Sequence, residues 1–289
     1  MTRRALVFGA SGQVGTALQR TIPDSWTLAA HDLETDIRQE RAVSAAIDDV
    51  RPDVIINCAA FTNVDGAESN VDEAHDVNAV APGVIAGAAV HAGVRFIHIS
   101  TDYVFDGRAH RPYVPDAPTA PQSVYGRTKY EGEERVRQAA PASVIVRTAW
   151  VHSGGGANFV RTAVRHLTAG RAMRVVDDQI GTPTRAHNLA LALWRIAERP
   201  GITGTLHFTD AGVASWFDVA VVVLETLRGA GRLPEGADVV PIRSTEYPTA
   251  ARRPAYSVLE KHESWRAIEF VPPHWRDGVV QSTSELLHA

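Results

Sequence analysis

The sequence predicts an α/β fold in which a doubly wound parallel sheet carries a smaller carboxy-terminal substrate-binding region. Three observations predict it. Short apolar runs alternate with helical stretches through the first half of the 289 residues. The first run opens into a glycine-rich turn. Beyond Trp150 the alternation loosens into glycine- and proline-rich loops.

In chain order, residues 5–8 form the first apolar run, followed by a helical stretch at 14–21. A weaker strand at 27–30 precedes a helix at 39–50. Strand 54–56 precedes a helix at 72–92, and strand 96–99 precedes a loop at 112–121 and a helix at 123–138. Strand 144–146 closes the series. Continuous apolar runs of this length suit strands buried on both faces of a parallel sheet. Later come a glycine loop at 154–156, short strands at 174–176 and 205–208, and amphipathic helices at 186–197 and 216–227. Residues 1–150 are therefore read as a dinucleotide-binding domain, completed by part of 174–208. Residues 151–289 are read as mainly substrate-binding.

Composition narrows the function. Hydrophobic residues make up 45% and charged residues 21%, which excludes a disordered or fibrous chain. The net charge of -4 argues against nucleic acid as a partner. The single cysteine, Cys58, excludes an internal disulfide. The apolar run near the amino terminus is too short for a signal peptide or a membrane span. A cytoplasmic protein with no membrane partner is expected. Of 29 basic residues only Lys129 and Lys261 are lysines, so in this arginine-rich chain a lysine is not a casual choice.

Gly9, Gly12 and Gly15 punctuate the turn after the first strand. Such spacing allows a tight strand-to-helix turn and close approach of a pyrophosphate to a helix amino terminus. Asp32, about 20 residues on, is placed to bond a ribose hydroxyl. The GxxGxxG spacing resembles the extended short-chain dehydrogenase/reductase superfamily and a Rossmann-type sheet. By that resemblance Asn57, Cys58, Ala59 and Ala60 line the adenosine and ribose, and Asp36 and Ile37 frame the adenine.

Tyr125 and Lys129 stand four residues apart on one helix face. Six tyrosines and two lysines would give that spacing by chance in roughly 0.04 cases. The chemistry wants the pair. A ketone that receives hydride needs a proton, which a phenol can give, and a neighbouring ammonium stabilises the phenolate left behind. Thr101, directly after the fourth strand, is the candidate hydroxyl to polarise the carbonyl and orient Tyr125. Ser100 competes with it, because one residue of register decides which side chain faces the site. Asp102 is placed either to bond a sugar hydroxyl or to anchor the loop 103–107.

Longer motifs go further. Ser-Thr-Asp-Tyr-Val-Phe-Asp-Gly at 100–107, Tyr-Gly-Arg-Thr-Lys at 125–129 and Arg-Thr-Ala-Trp-Val at 147–151 resemble those of the dTDP-4-dehydrorhamnose reductases. So do Asp-Asp-Gln-Ile-Gly-Thr-Pro-Thr at 177–184 and Ala-Arg-Arg-Pro at 251–254. The resemblance runs from the first strand to about Trp275. It implies that NADH or NADPH reduces the C4 ketone of a dTDP-linked 4-keto-6-deoxyhexose, dTDP-4-dehydro-β-L-rhamnose. It makes Tyr125 the proton donor, Lys129 the ribose-binding cation that tunes it, and Thr101 the assistant. Gly12, Gln13 and Val14 meet the pyrophosphate. Ala60, Phe61 and Thr62 line the cofactor site with Asp32, Asp36 and Ile37. On the substrate side stand Asp102, Val104, Trp150, Asn158, Phe159 and Arg253, with Arg252 as the alternative cation. Trp150 either packs on the sugar or is a core residue at a strand end.

One position departs from the family. Some members form a magnesium-supported dimer through a glutamate in the helix after the glycine turn, where this chain has Ala17. No metal is expected, and a homodimer is left open. Asp32 favours NADH, since a 2′-phosphate there would meet a like charge, although Arg38 lies close. Two rival functions remain. One is reduction of another dTDP-4-keto-6-deoxysugar. The other is a non-catalytic binding role resembling the regulatory subunit of methionine adenosyltransferase.

Overall fold

A computed structural model describes residues 2–288. Six parallel strands form the central sheet. β1 (Arg3–Phe8), β2 (Trp26–His31), β3 (Val54–Asn57), β4 (Arg95–Thr101) and β5 (Val144–Thr148) lie in the order β2-β1-β3-β4-β5, and Gly204–His207 pairs outside β5. β1 sits between β2 and β3, with Ala5 opposite both Leu28 and Val54. The chain order reverses there, so a crevice opens beyond the carboxyl ends of β1 and β3, where such sheets take ligands.

The apolar runs are continuous because helices cover both faces of the sheet. Ala5, Val7, Ile56, Ile97 and Val146 pack with Leu18 of α1 (Gln13–Arg20) and with Leu189 and Leu193 of the Ala186–Ala197 helix. Leu6, Phe8, Ile55, Phe96 and Ile145 face the other way. They meet Val43 and Ile47 of α2 (Glu40–Val50), Ile85 of the Ala81–His91 helix and Val136 of the Val124–Ala139 helix. β2 is the edge strand and is only partly buried, which is why its apolar signal is weak.

The helix expected at 72–92 is interrupted. It runs as Val71–His75, a π turn at Asp76–Val80, and Ala81–His91. Pro82, in the first turn of the last piece, has no N–H to give to the carbonyl four residues back, so the ladder widens at Asn78. A second core holds the carboxy-terminal region. Val160 and Leu167 of Phe159–Thr168 meet Val219 and Val223 of Trp216–Gly229, and Trp275 and Val279 of Trp275–Leu287. Of the short strands in 174–208, Gly204–His207 joins the main sheet. Met173–Val176 instead pairs with Val239–Ile242 outside it.

Candidate active site

The glycine turn lies at the crevice. Gly9 has φ +76°, and a Cβ there would stand 2.5 Å from the Ala59 backbone nitrogen. Only glycine gives both that conformation and that approach. Gly12 caps α1 without a side chain, and the first turn has no acidic residue, so its N–H groups are left to an anion. Gly15 packs under the turn, where a Cβ would lie 2.4 Å from the Gly9 carbonyl oxygen. This cradle fits a dinucleotide pyrophosphate.

The Asp32 carboxylate accepts from the Ser11 N–H at 2.6 Å, tying β2 to the turn. A cleft of about 470 Å³ opens beside it, lined among others by Ser11, Thr16, Arg20 and Glu34. Arg38 is held by Asp36, with Nε to Oδ1 at 2.8 Å and Nη2 to Oδ2 at 3.0 Å, and this pairing lowers the Asp36 carboxyl. Ile37 packs on the core edge beside Phe8 and Ile55. Phe61 is fixed by Asn78, which accepts from its N–H at 2.9 Å and donates to its carbonyl at 3.1 Å. It packs in one small cluster with Val124 and Tyr125, whereas Thr62 is exposed.

Tyr125 and Lys129 lie on the Val124–Ala139 helix. Ser123 caps it by accepting from the Gly126 N–H at 3.1 Å, and Glu68 accepts from the Val124 N–H at 2.7 Å. A Cβ on Gly126 would sit 2.3 Å from the Tyr103 carbonyl oxygen, so the helix rests directly on the turn after β4. That contact sets Tyr125 beside Thr101. Burial pushes the Tyr125 phenol up to about 12, with the Thr101 hydroxyl pulling it down and the Asp102 charge pushing it up. Lys129 is 2% exposed and donates to the Ile99 carbonyl at 2.7 Å. Burial takes its ammonium down to about 8 against the pull of Glu133 and Cys58.

Strand register separates the two hydroxyl candidates. Thr101 pairs across to Thr148 and faces Tyr125, while Ser100 pairs across to Arg147 and lies beside Glu133. Thr101 accepts from the Tyr103 N–H at 3.3 Å and donates its one proton to Asp102 Oδ1 at 3.1 Å. Asp102 is buried, which raises its carboxyl to about 6.

The remaining candidates are placed unevenly. Trp150 has φ +50° and stacks face to face on Trp216 at 3.6 Å, with Phe159 4.9 Å from the same indole. Asn158 caps the Phe159–Thr168 helix by accepting from the Arg161 N–H at 2.9 Å. Its amide also donates to Gln13 Oε1 at 2.9 Å, and Ser153 Oγ donates to the same oxygen at 2.8 Å. The Gln13 side chain thus joins α1 to the glycine loop. Val14 packs against the core. Arg253 is paired with Asp65 at 2.8 Å, while Arg252 is exposed. Val104 is fully buried with Phe105, Tyr113 and Leu259, and its carbonyl accepts from the Ala120 N–H at 3.0 Å. Among the described residues, no group of three His, Cys, Asp or Glu side chains could hold a metal, and no helix is long and apolar enough to cross a membrane.

The family model described as RmlD substrate binding domain matches residues 3–288. A dTDP-4-dehydrorhamnose reductase of Mycobacterium tuberculosis (strain CDC 1551 / Oshkosh) is 42% identical over 96% of this chain and 92% of its own length. The chain belongs to the dTDP-4-dehydrorhamnose reductase family. It is an NAD(P)H-dependent oxidoreductase. A probable dTDP-4,6-dihydroxy-2-methyloxan-3-one 4-ketoreductase of Streptomyces antibioticus is 39% identical over 99% of this chain and 96% of its own length. The crystal structure of the Bacillus anthracis dTDP-4-dehydrorhamnose reductase in complex with NADP superposes with a TM-score of 0.90. It shares 32% identity and covers 99% of this chain and 100% of that one.

Several residues at this reductase-family site escaped the sequence reading. Trp216 is the partner of Trp150. Asn78 and Thr128 hold the Phe61 loop, joined to each other at 3.3 Å. Glu133 and Arg147 form a buried bidentate pair at 2.8 and 2.7 Å. His98 is fully buried in β4. A histidine inside an otherwise apolar strand is a readable signal, because a buried polar side chain needs a partner.

Proposed function

We propose that this protein reduces the C4 ketone of dTDP-4-dehydro-β-L-rhamnose to give dTDP-L-rhamnose. The observation that carries the reading is the convergence of Thr101, Tyr125 and Lys129 at the carboxyl end of β4, beside the Gly9 cradle. Reduced NAD(P)H, when bound, supplies the hydride. Tyr125 supplies the proton: with its phenol raised by burial it is fully protonated at neutral pH, as a general acid must be. Thr101 is hydrogen-bonded to Tyr125 and to Asp102, so one hydroxyl ties the phenol to the buried carboxylate and aims it. That makes Thr101 an orienting group. Lys129, one turn along the same helix, supplies the positive charge that favours the phenolate that forms. Trp150, Asn158 and Arg253 take the nucleotide sugar in this reading, with Trp216 stacked on Trp150.

The identity to the Streptomyces antibioticus ketoreductase supports a second substrate reading, another dTDP-4-keto-6-deoxysugar. One experiment tests both. Purified protein is given NADH or NADPH with dTDP-4-dehydrorhamnose, then with other dTDP-4-ketosugars, and the products are identified. Oxidation with the first sugar yielding dTDP-L-rhamnose is expected. Turnover of a different sugar only would select the second reading. Tight cofactor binding without turnover of any ketosugar would support the binding role.

A further inference from the structure

Asn57 at the end of β3, His98 in β4 and Lys129 on the Val124–Ala139 helix form one chain of buried contacts, at 0%, 0% and 2% exposure. His98 Nε2 lies 3.5 Å from Lys129 Nζ, and His98 Nδ1 lies 3.2 Å from Asn57 Nδ2. Asn57 Oδ1 accepts from the Ala59 N–H at 3.1 Å. This last bond fixes the amide, because a flipped Asn57 would set two donors against each other. The Asn57 nitrogen therefore donates to Nδ1, and Nδ1 carries no proton. Burial, and then the Lys129 charge, hold the His98 ring neutral. A neutral ring has one N–H, so that proton is on Nε2 and points at Lys129. Against an ammonium such a proton is repulsive. Against an amine lone pair it makes a hydrogen bond.

We propose that His98 is a positioning residue that stabilises the unprotonated Lys129 amine during turnover, with Asn57 setting its tautomer. The proposal rests on the Tyr125–Lys129 reading above. Proton transfer to the reduced carbonyl breaks the Tyr125 O–H bond and forms the product O–H bond. The phenolate then regains a proton supplied by Lys129, so a Lys129 N–H bond breaks and the Tyr125 O–H bond re-forms. The amine accepts the His98 N–H until it takes a proton from water, and each turnover consumes one solvent proton.

Three groups bear on that amine: Glu133 on its own helix, Cys58 after β3 and His98 from β4. Glu133 and Cys58 favour the ammonium, whereas burial opposes it. The His98 N–H adds to the opposition. Ala59, at the other end of the chain of contacts, is the residue that Gly9 touches. The network therefore spans from the cofactor cradle to the proton donor's partner.

The chain has two lysines, so isotope-labelled lysine gives two side-chain NMR signals to titrate. Lys129 is expected to titrate near 8 in the unmodified protein. In His98→Phe its midpoint should move up by about 0.5 pH unit or more, roughly a threefold fall in proton concentration, while Lys261 stays in place. Nitrogen NMR of the unmodified protein should show His98 with a bare Nδ1 and a protonated Nε2. The alkaline limb of kcat/KM should follow the Lys129 midpoint, with KM for the cofactor unchanged. An Nδ1–H tautomer, or a Lys129 midpoint that is unmoved or lowered in His98→Phe, overturns the proposal. If His98→Phe does not fold, the tautomer alone decides. The titration and the tautomer need no substrate, so their failure is distinct from a failure of ketone reduction.

Discussion

Replacing Lys129 with Met should leave the protein inactive yet more stable at pH 7. Burial lowers the Lys129 ammonium from its ordinary 10.5 to about 8. At about 1.4 kcal/mol per pH unit, keeping that charge folded at pH 7 costs about 3 kcal/mol. Methionine has a similar length and no charge. It forfeits the bond to the Ile99 carbonyl, worth about 1 kcal/mol. A net gain of about 1–2 kcal/mol is expected. The sign with pH follows from proton counting. Between pH 8 and 10.5 the unfolded chain binds the Lys129 proton and the folded chain does not, so wild-type stability rises with pH there. The advantage of the Met variant should therefore shrink between pH 7 and pH 9.5. Urea unfolding of both proteins at the two pH values measures it. A Met variant less stable at pH 7, or an advantage that does not fall with pH, would refute the claim that Lys129 is held against its solvation.

Tyr125→Phe should lower kcat by roughly 10²–10⁴, the range for a lost general acid, with cofactor affinity nearly unchanged in a binding titration. Arg147→Ala should cost up to about 3 kcal/mol in urea unfolding, the low end for a broken buried pair, because the buried Glu133 carboxylate then keeps only the part-exposed Arg137, and Glu133→Met combined with Arg147→Met should recover most of that loss. NADH should serve at least as well as NADPH, and Asp32→Ala should raise relative use of NADPH by about tenfold. An unmodified protein whose kcat/KM favours NADPH tenfold would show that another cation outweighs Asp32, since Arg38 is already paired with Asp36.

What could be read from the sequence depended on how far apart the partners lie in the chain. The inner strands announce themselves because both of their faces are buried, so Ala5 and Val7 serve one helix layer while Leu6 and Phe8 serve the other. The glycine turn is a local device, and Tyr125 and Lys129 share one helix. Partners that meet only in the fold were hidden. Gln13 reaches Asn158 across 145 residues, and no local pattern marks that bond. Val104 enters the site only through the resemblance of the 100–107 motif to the family. Tyr113 and Leu259, which bury it, come from distant loops. Met173–Val176 and Gly204–His207 are equally short, and nothing within either strand says which one reaches the edge of β5.

The Val124–Ala139 helix explains why the site is both rigid and electrostatically tense. A sheet-facing stripe is ordinarily apolar. Here the positions four apart, Tyr125, Lys129 and Glu133, place a phenol, an ammonium and a carboxylate against the sheet before Val136 restores the apolar pattern. Glu133 is fully buried and its carboxyl is held down by Arg147, so it stays charged. That fixed negative charge one turn along is the main pull that keeps the Lys129 ammonium from falling below about 8. Burial alone would strip the lysine of its proton, and full solvation would hold the proton too firmly to give it up. The Glu133–Arg147 pair therefore does two things with one set of bonds. It clamps the helix to β5, and it sets the balance that leaves Lys129 able to exchange a proton near neutral pH.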